Sequence, residues 1–244
     1  MRLVTSSPTI VDVPVLAYII VAVAAYLLGS IPTGYLVAKA KGIDIRSVGS
    51  GNIGATNAMR VLGKPAGIFV MIVDVAKGWY ACYLGMIIYA FISLHYESRI
   101  IRTNADVEFV SNLVSHYHQD LQHTMLVAGI FAVLGHNYTC WLKFKGGKGI
   151  ATMAGVYLSL APVALCIALA VFILSVVITR YVSIGSILAA AVLPVAVWFT
   201  NENMVLRIVT IALCALAIFK HKSNIKRIMA GTESRFGKKS EEVK

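Results

Sequence analysis

Residues 150–179 read IATMAGVYLSLAPVALCIALAVFILSVVIT, an apolar run interrupted by one proline, Pro162. As a single helix this run would be about 45 Å long, against a bilayer hydrocarbon core of about 30 Å. A proline inside a helix removes a backbone hydrogen bond and collides with the preceding turn, so two helices meeting at Pro162 are expected, the first of them short. The choice matters because it decides which of the flanking basic segments share a side of a membrane.

Outward from this run, comparable apolar stretches cover 13–38, 66–94, 125–142, 182–200 and 204–219, and the split at Pro162 adds 150–161 and 163–179. The composition agrees: of 244 residues 58% are hydrophobic and 14% charged, and the mean hydropathy is +0.78, beyond what a soluble domain of this length carries. The expected fold is an all-α integral membrane protein. It would be a polytopic bundle of seven transmembrane helices, one membrane domain over 1–244 with a polar outer loop at 93–124 and a basic cytoplasmic tail at 220–244. Ala22-Val23-Ala24 imitates a signal-peptidase site, but one basic residue, Arg2, precedes the apolar run, which leads straight into a glycine-rich motif; a retained span is expected.

Charge distribution favours the split. With seven crossings and the N-terminus outside, 18 of the 22 Lys and Arg fall on inner segments, leaving Arg2, Arg99, Arg102 and Arg207 outside, as the positive-inside rule demands. Six crossings would put Arg180 and the tail on the other side. The net charge of +11 is thus an orientation signal, and no nucleic-acid partner is expected. Cys82, Cys140, Cys166 and Cys214 lie in apolar runs without C-x-x-C spacing and are expected as reduced packing residues. If the 93–124 loop were helical, His116, Asp120 and His123 would share a face; without a further convergent ligand no metal is expected.

Two glycine-rich segments sit beside basic residues. Residues 49–57, GSGNIGATN, place Gly49, Gly51 and Gly54 among Ser50, Asn52, Thr56, Asn57, Arg46 and Arg60; residues 146–149 place Lys148 between Gly146, Gly147 and Gly149. Bare amides flanked by cations suit phosphate groups. The first segment spells G-x-G-x-x-G with Asp74 twenty residues on, yet no run of alternating strands accompanies it and Asp74 lies in an apolar span, so a dinucleotide fold is not expected. The second lacks the Ser or Thr that a Walker A loop needs after its lysine. A third cluster, His221 to Arg227, brings His221 and Asn224 to i, i+3 positions, with Lys222, Lys226 and Arg227 read as contacts to lipid headgroups. Tyr181, Ser183 and Ser186 follow Arg180. Asp74 and Lys77 are read as neutralising each other, and His136 as a helix-end polar residue.

The strings GSIPTGYLVAKAKGIDIRSVGSGNIGATNAMRVLG (29–63), GHNYTCWLKFKGGKGIAT (135–152), RYVSIGS (180–186) and HKSNIKRIMAGTE (221–233) closely resemble the signature segments of the bacterial membrane-bound acylphosphate:glycerol-3-phosphate acyltransferases, the PlsY-type family. The resemblance implies a multi-pass enzyme of the bacterial inner membrane with a cytoplasmic active site. Such an enzyme moves an acyl chain from acyl phosphate to the sn-1 hydroxyl of glycerol 3-phosphate for phospholipid synthesis, without cofactor. It implies a glycerol-3-phosphate pocket of Ser50, Arg60, Lys148, Ser186, His221 and Asn224, with His221, Asn224 and Lys148 closest to the chemistry. Acyl phosphate would rest on Gly49, Gly51, Asn52, Gly54, Thr56, Asn57, Gly146, Gly147 and Gly149. The long 93–124 loop and the extended termini depart from the family pattern.

That chemistry suits the residues, since an acyl phosphate carries its own leaving group and the enzyme need only screen two anions and stabilise an oxyanion. None of the six histidines has aspartate five residues on, the pair usual in acyl-CoA-dependent acyltransferases. The hydroxyl proton could go to His221 or to a substrate phosphate. A transporter would spread ionisable groups through the membrane depth, and a lipid phosphatase would want a histidine pair beside an arginine motif; the sequence offers neither.

Overall fold

The computed structural model describes residues 15–97, 107–201 and 203–237. Among these every regular element is a helix: α1 (Val15–Ser30), α2 (Thr33–Lys39), α3 (Ala55–Leu62), α4 (Lys64–Glu97), α5 (Val107–Asn137), α6 (Ile150–Leu160), α7 (Pro162–Thr179), α8 (Val182–Thr200), α9 (Met204–Lys220) and α10 (Lys222–Met229), with a 3-10 turn at Cys140–Leu142. The all-helical, membrane-type architecture expected from the sequence is present. Large apolar side chains such as Leu174, Val177 and Ile178 on α7 and Phe199 on α8 point outward, while the interior combines an apolar core around Leu126, Val156, Tyr157 and Leu193 with small residues and buried polar groups.

Pro162 opens α7 at its first position, where a missing N–H costs nothing, and the chain turns back there. Two contacts at the other ends establish the reversal. Lys148, before α6, bonds Asn224 of α10, and Arg180, after α7, accepts through its carbonyl from the backbone of Phe236 in the tail at 2.7 Å. Both ends of the α6–α7 pair therefore meet the same C-terminal segment, which one straight helix could not do. The 11 residues of α6 rise about 16 Å, half a hydrocarbon core. Five helical spans among the described residues are long and apolar enough to cross, six if α9 and α10, bent by 50°, cross as one.

The apolar run 13–38 is interrupted at Ile31-Pro32, between α1 and α2, but Val15–Lys39 remains one candidate span. One expectation changes. The expected loop 93–124 is largely helix, because α4 continues to Glu97 and α5 starts at Val107; polar sequence does not exclude a helix that extends one already begun. His116 and Asp120 thus lie on α5, but the side chain of His116 is outside the described residues, and among the described residues no three metal ligands converge. The four cysteines are unpaired.

Helices α1 and α5 meet backbone to backbone. A Cβ on Gly29 would fall 2.1 Å from the carbonyl oxygen of Ala132, and one on Gly135 2.2 Å from that of Tyr26, the small-residue approach typical of packed membrane helices. Polar staples hold this seam: Tyr26 OH donates to the Tyr138 carbonyl (2.7 Å), Ser30 Oγ to that of Gly135 (3.3 Å) and Thr139 Oγ1 to that of Ser30 (2.5 Å). The second glycine-rich segment emerges from this rigid end.

Candidate active site

Four segments distant in sequence meet where α5 ends and α6 begins. Lys148, one residue before the N-cap of α6, donates from Nζ to Asn224 Oδ1. The Asn224 amide donates in turn to Glu233 Oε1 at 2.7 Å, and Glu233 Oε2 accepts from Arg227 Nε at 2.7 Å. Arg60, on the last turn of α3, lies close enough to Glu233 and Arg227 to feel both charges. Lys220 donates to the carbonyl of Asn137 at 3.0 Å and covers the Tyr138 ring. His221 is buried, with Nδ1 2.7 Å from the Ala217 carbonyl oxygen; a carbonyl only accepts, so Nδ1 carries the proton and Nε2 keeps its lone pair.

The tail completes the cluster. Beyond Gly231 the backbone amides of Thr232 and Glu233 donate to the Arg227 carbonyl, and Arg235 Nε reaches Tyr181 OH at 3.1 Å. This folds the Glu233 carboxylate inward, 6% exposed, beside the buried Ser183, whose hydroxyl faces the carboxylate without a hydrogen bond of its own. Among the described residues Arg60, Lys148 and Lys220 form no ion pair with a carboxylate, although Arg60 and Lys148 feel the charge of Glu233. Burial lowers the Lys148 ammonium to about 8, with Arg227 adding to the effect, and burial pushes the His221 imidazole down to about 4 despite its bond to Ala217. Such a site favours an anion that would restore the missing negative charge.

Of the residues picked out in the sequence, Arg60, Lys148, His221 and Asn224 are brought together. Ser50 is half-buried in the loop leading to α3, and Ser186 is buried with its hydroxyl donating to the Val182 carbonyl at 2.9 Å. The glycine-rich amides are used differently from expectation. Asn57 spends its side chain on the first loop, accepting from Ser50 N and donating to the carbonyls of Ile45, Val48 and Asn52, so it shapes that loop. Gly51 N donates to the Val48 carbonyl and Gly54 N to Asn52 Oδ1. Gly49, at φ +61, is pressed against Asn57, where a Cβ would sit 2.3 Å from Oδ1. Gly146 N and Gly147 N donate to the carbonyls of Asn137 and His136, closing the end of α5. The first-turn amides of α3 and α6 lie at helix N-termini that suit an anion, except Asn57 N, which donates to the Gly54 carbonyl at 3.1 Å; Thr56 is exposed on that turn of α3 and Gly149 caps α6.

Arg46 turns away to pair with Asp44 at 2.7 Å. Arg227 is a network member, not merely a headgroup contact. Glu233 was not anticipated; in the sequence it is one of three glutamates in a basic tail, and only the last residue of the HKSNIKRIMAGTE string marks it.

The architecture is that of an integral membrane protein with a cation-rich site for anionic ligands at one end of a helix bundle. The family profile described as glycerol-3-phosphate acyltransferase matches residues 19–231. The glycerol-3-phosphate acyltransferase of Trichlorobacter lovleyi is 44% identical over 87% of this chain and 94% of its own, and that of Geotalea daltonii 39% identical over 89% and 97%. The crystal structure of PlsY (YgiH), an integral membrane glycerol 3-phosphate acyltransferase in its glycerol 3-phosphate form, superposes with a TM-score of 0.72 at 33% identity, covering 91% of this chain and 96% of that one. Its lysophosphatidic acid form gives 0.69 at 32%. The chain belongs to the glycerol-3-phosphate acyltransferase family, whose place is in phospholipid biosynthesis.

Proposed function

We propose that the protein transfers a fatty acyl group from acyl phosphate to the sn-1 hydroxyl of glycerol 3-phosphate, releasing lysophosphatidic acid and inorganic phosphate. The observation that carries this reading is the meeting of Arg60, Lys148, His221 and Asn224, from α3, the α6 entrance and the α9–α10 junction, around a surplus of positive charge. Arg60 and Lys148 hold the phosphate of the acceptor, with Ser50 and Ser186 lending hydroxyls. The first turns of α3 and α6, with Thr56 and Gly149, face the acyl phosphate, while Asn52, Asn57 and the glycines around them keep both loops in shape.

The acceptor hydroxyl attacks the acyl carbonyl, the ester bond forms, and the C–O bond to phosphate breaks. As that bond breaks the phosphate gains charge and takes the hydroxyl proton, leaving as hydrogen phosphate. A histidine lowered to about 4 is a weak base, so His221 accepts a hydrogen bond through Nε2 and aims the hydroxyl, while the leaving group serves as base. Neither a cofactor nor a metal is called for.

The protein would sit in the bacterial inner membrane as seven spans with the N-terminus outside, α6 being the short one. The site would face the cytoplasm and the acyl chain the surrounding lipid; the positive-inside distribution supports that orientation. The test is phosphate release from palmitoyl phosphate by the purified protein. Release that depends on added glycerol 3-phosphate and yields lysophosphatidic acid is expected. Release without the acceptor would indicate a phosphatase, and none at all would revive a transporter.

A further inference from the structure

A second ionic cluster lies inside the bundle, apart from the substrate site. Asp74 and Lys77, both 3% exposed, pair at 2.8 Å on successive turns of α4. Lys77 Nζ also lies 2.7 Å from His136 Nδ1 and 3.2 Å from the Ile31 carbonyl, which at the break between α1 and α2 accepts from Thr33 N as well; Thr33 OH reaches Asp74 at 3.4 Å. An ammonium only donates, so His136 Nδ1 accepts and the neutral ring bears its proton on Nε2. That edge is pressed against Gly147: a Cβ there would lie 2.0 Å from Nε2 and under 3 Å from both neighbouring ring carbons. The His136 carbonyl meanwhile accepts from Gly147 N at 2.9 Å. Gly147 is thus gripped by the ring and the backbone of one residue, and the residue after it is Lys148.

We infer that His136, held upright by Lys77 and Asp74, is a positioning residue: it is the template on which the Gly146-Gly147 turn is moulded, and through that turn it sets where Lys148 reaches Asn224. Gly147 is glycine because the imidazole occupies the space of its side chain, and its amide, already bonded to the His136 carbonyl, does not bind phosphate. Buried ion pairs in membrane spans are costly to maintain and are kept where they hold something in place. Here the pair anchors a ring, and the ring anchors a loop. The inference rests on the acyltransfer reading for its consequence and on geometry alone for the contact.

The test is a double-mutant cycle on the full chain in detergent or bilayers, read by melting temperature and by kcat and KM for glycerol 3-phosphate. Gly147→Ala should lower kcat/KM about 100-fold, the scale of an ångström's misplacement of a catalytic group, and should lower the melting temperature. His136→Ala opens the space, so the double variant should recover at least tenfold in kcat/KM over Gly147→Ala and regain melting temperature. His136→Asn, shorter but still able to accept from Lys77, should rescue likewise and covers the case in which the alanine variant does not fold. A double variant no better than Gly147→Ala, or one that regains stability but not activity, overturns the inference. If the wild-type chain shows no acyl transfer, that reading falls instead, and the melting-temperature cycle still decides the contact.

Discussion

His221 Nδ1 is 2.7 Å from the carbonyl oxygen of Ala217, one turn back on α9. The bond fixes both tautomer and ring orientation, so Nε2 faces the cluster with a free lone pair while burial keeps the ring neutral at physiological pH. His221→Ala should therefore reduce kcat by about ten- to a hundredfold, at or below the lower end of what a positioned acid or base contributes, with little change in KM for glycerol 3-phosphate. Steady-state kinetics at pH 7.5 check this. A loss of four orders of magnitude would instead make His221 the proton acceptor.

Lys148 produces a pH dependence of its own. Burial and the neighbouring Arg227 bring its ammonium to about 8 in the ligand-free protein, so the charge is present below that pH and lost above it. Because kcat/KM reports the free enzyme, kcat/KM for glycerol 3-phosphate should fall as pH rises through about 8. In Lys148→Arg the guanidinium stays charged; activity should be lower overall, but the alkaline limb should disappear. Lys148→Ala and Arg60→Ala should each bring turnover close to background.

How much of this was readable beforehand depended on whether the signal was local. Pro162 stands at the break between α6 and α7 that its place inside an over-long apolar run predicted. Pro32 broke a helix without being anticipated, and Pro194 sits inside α8 without ending it; proline chemistry alone does not distinguish these cases, whereas the helices packed around them do. Lys148 and Asn224 were legible because glycine flanks and i, i+3 spacing are visible in one dimension. The employment of Gly146 and Gly147 was not, because their amides are satisfied by the end of α5, a partner set by tertiary packing. Glu233 was hidden for the same reason: a carboxylate in a basic tail gains meaning only when the tail folds back over α10.

Glu233 is the keystone of that fold-back. Its two oxygens take Asn224 Nδ2 and Arg227 Nε, both at 2.7 Å, so Glu233→Ala strands one amide and one guanidinium. Loss of a hydrogen bond to a charged group costs about 2 kcal/mol; thermal unfolding in detergent should show a drop of at least that size, together with lower activity as Asn224 lets go of Lys148. Glu233→Gln still accepts from Asn224 and should retain more of both. Equal effects from the two substitutions would mean that the carboxylate does not orient Asn224.

The Asp74–Lys77 pair permits a sharper energetic test. Removing one partner leaves a lone charge in a dry interior, so Asp74→Asn and Lys77→Met should each destabilise by about 3–5 kcal/mol. The variant carrying both should lose much less than the sum, because no unpaired charge remains, although His136 loses the Lys77 ammonium and the Ile31 carbonyl keeps only Thr33 N. Melting curves of the four proteins give the coupling energy directly. A strictly additive pair would mean that Lys77 is held by Ile31 and His136 alone, and that Asp74 serves Thr33.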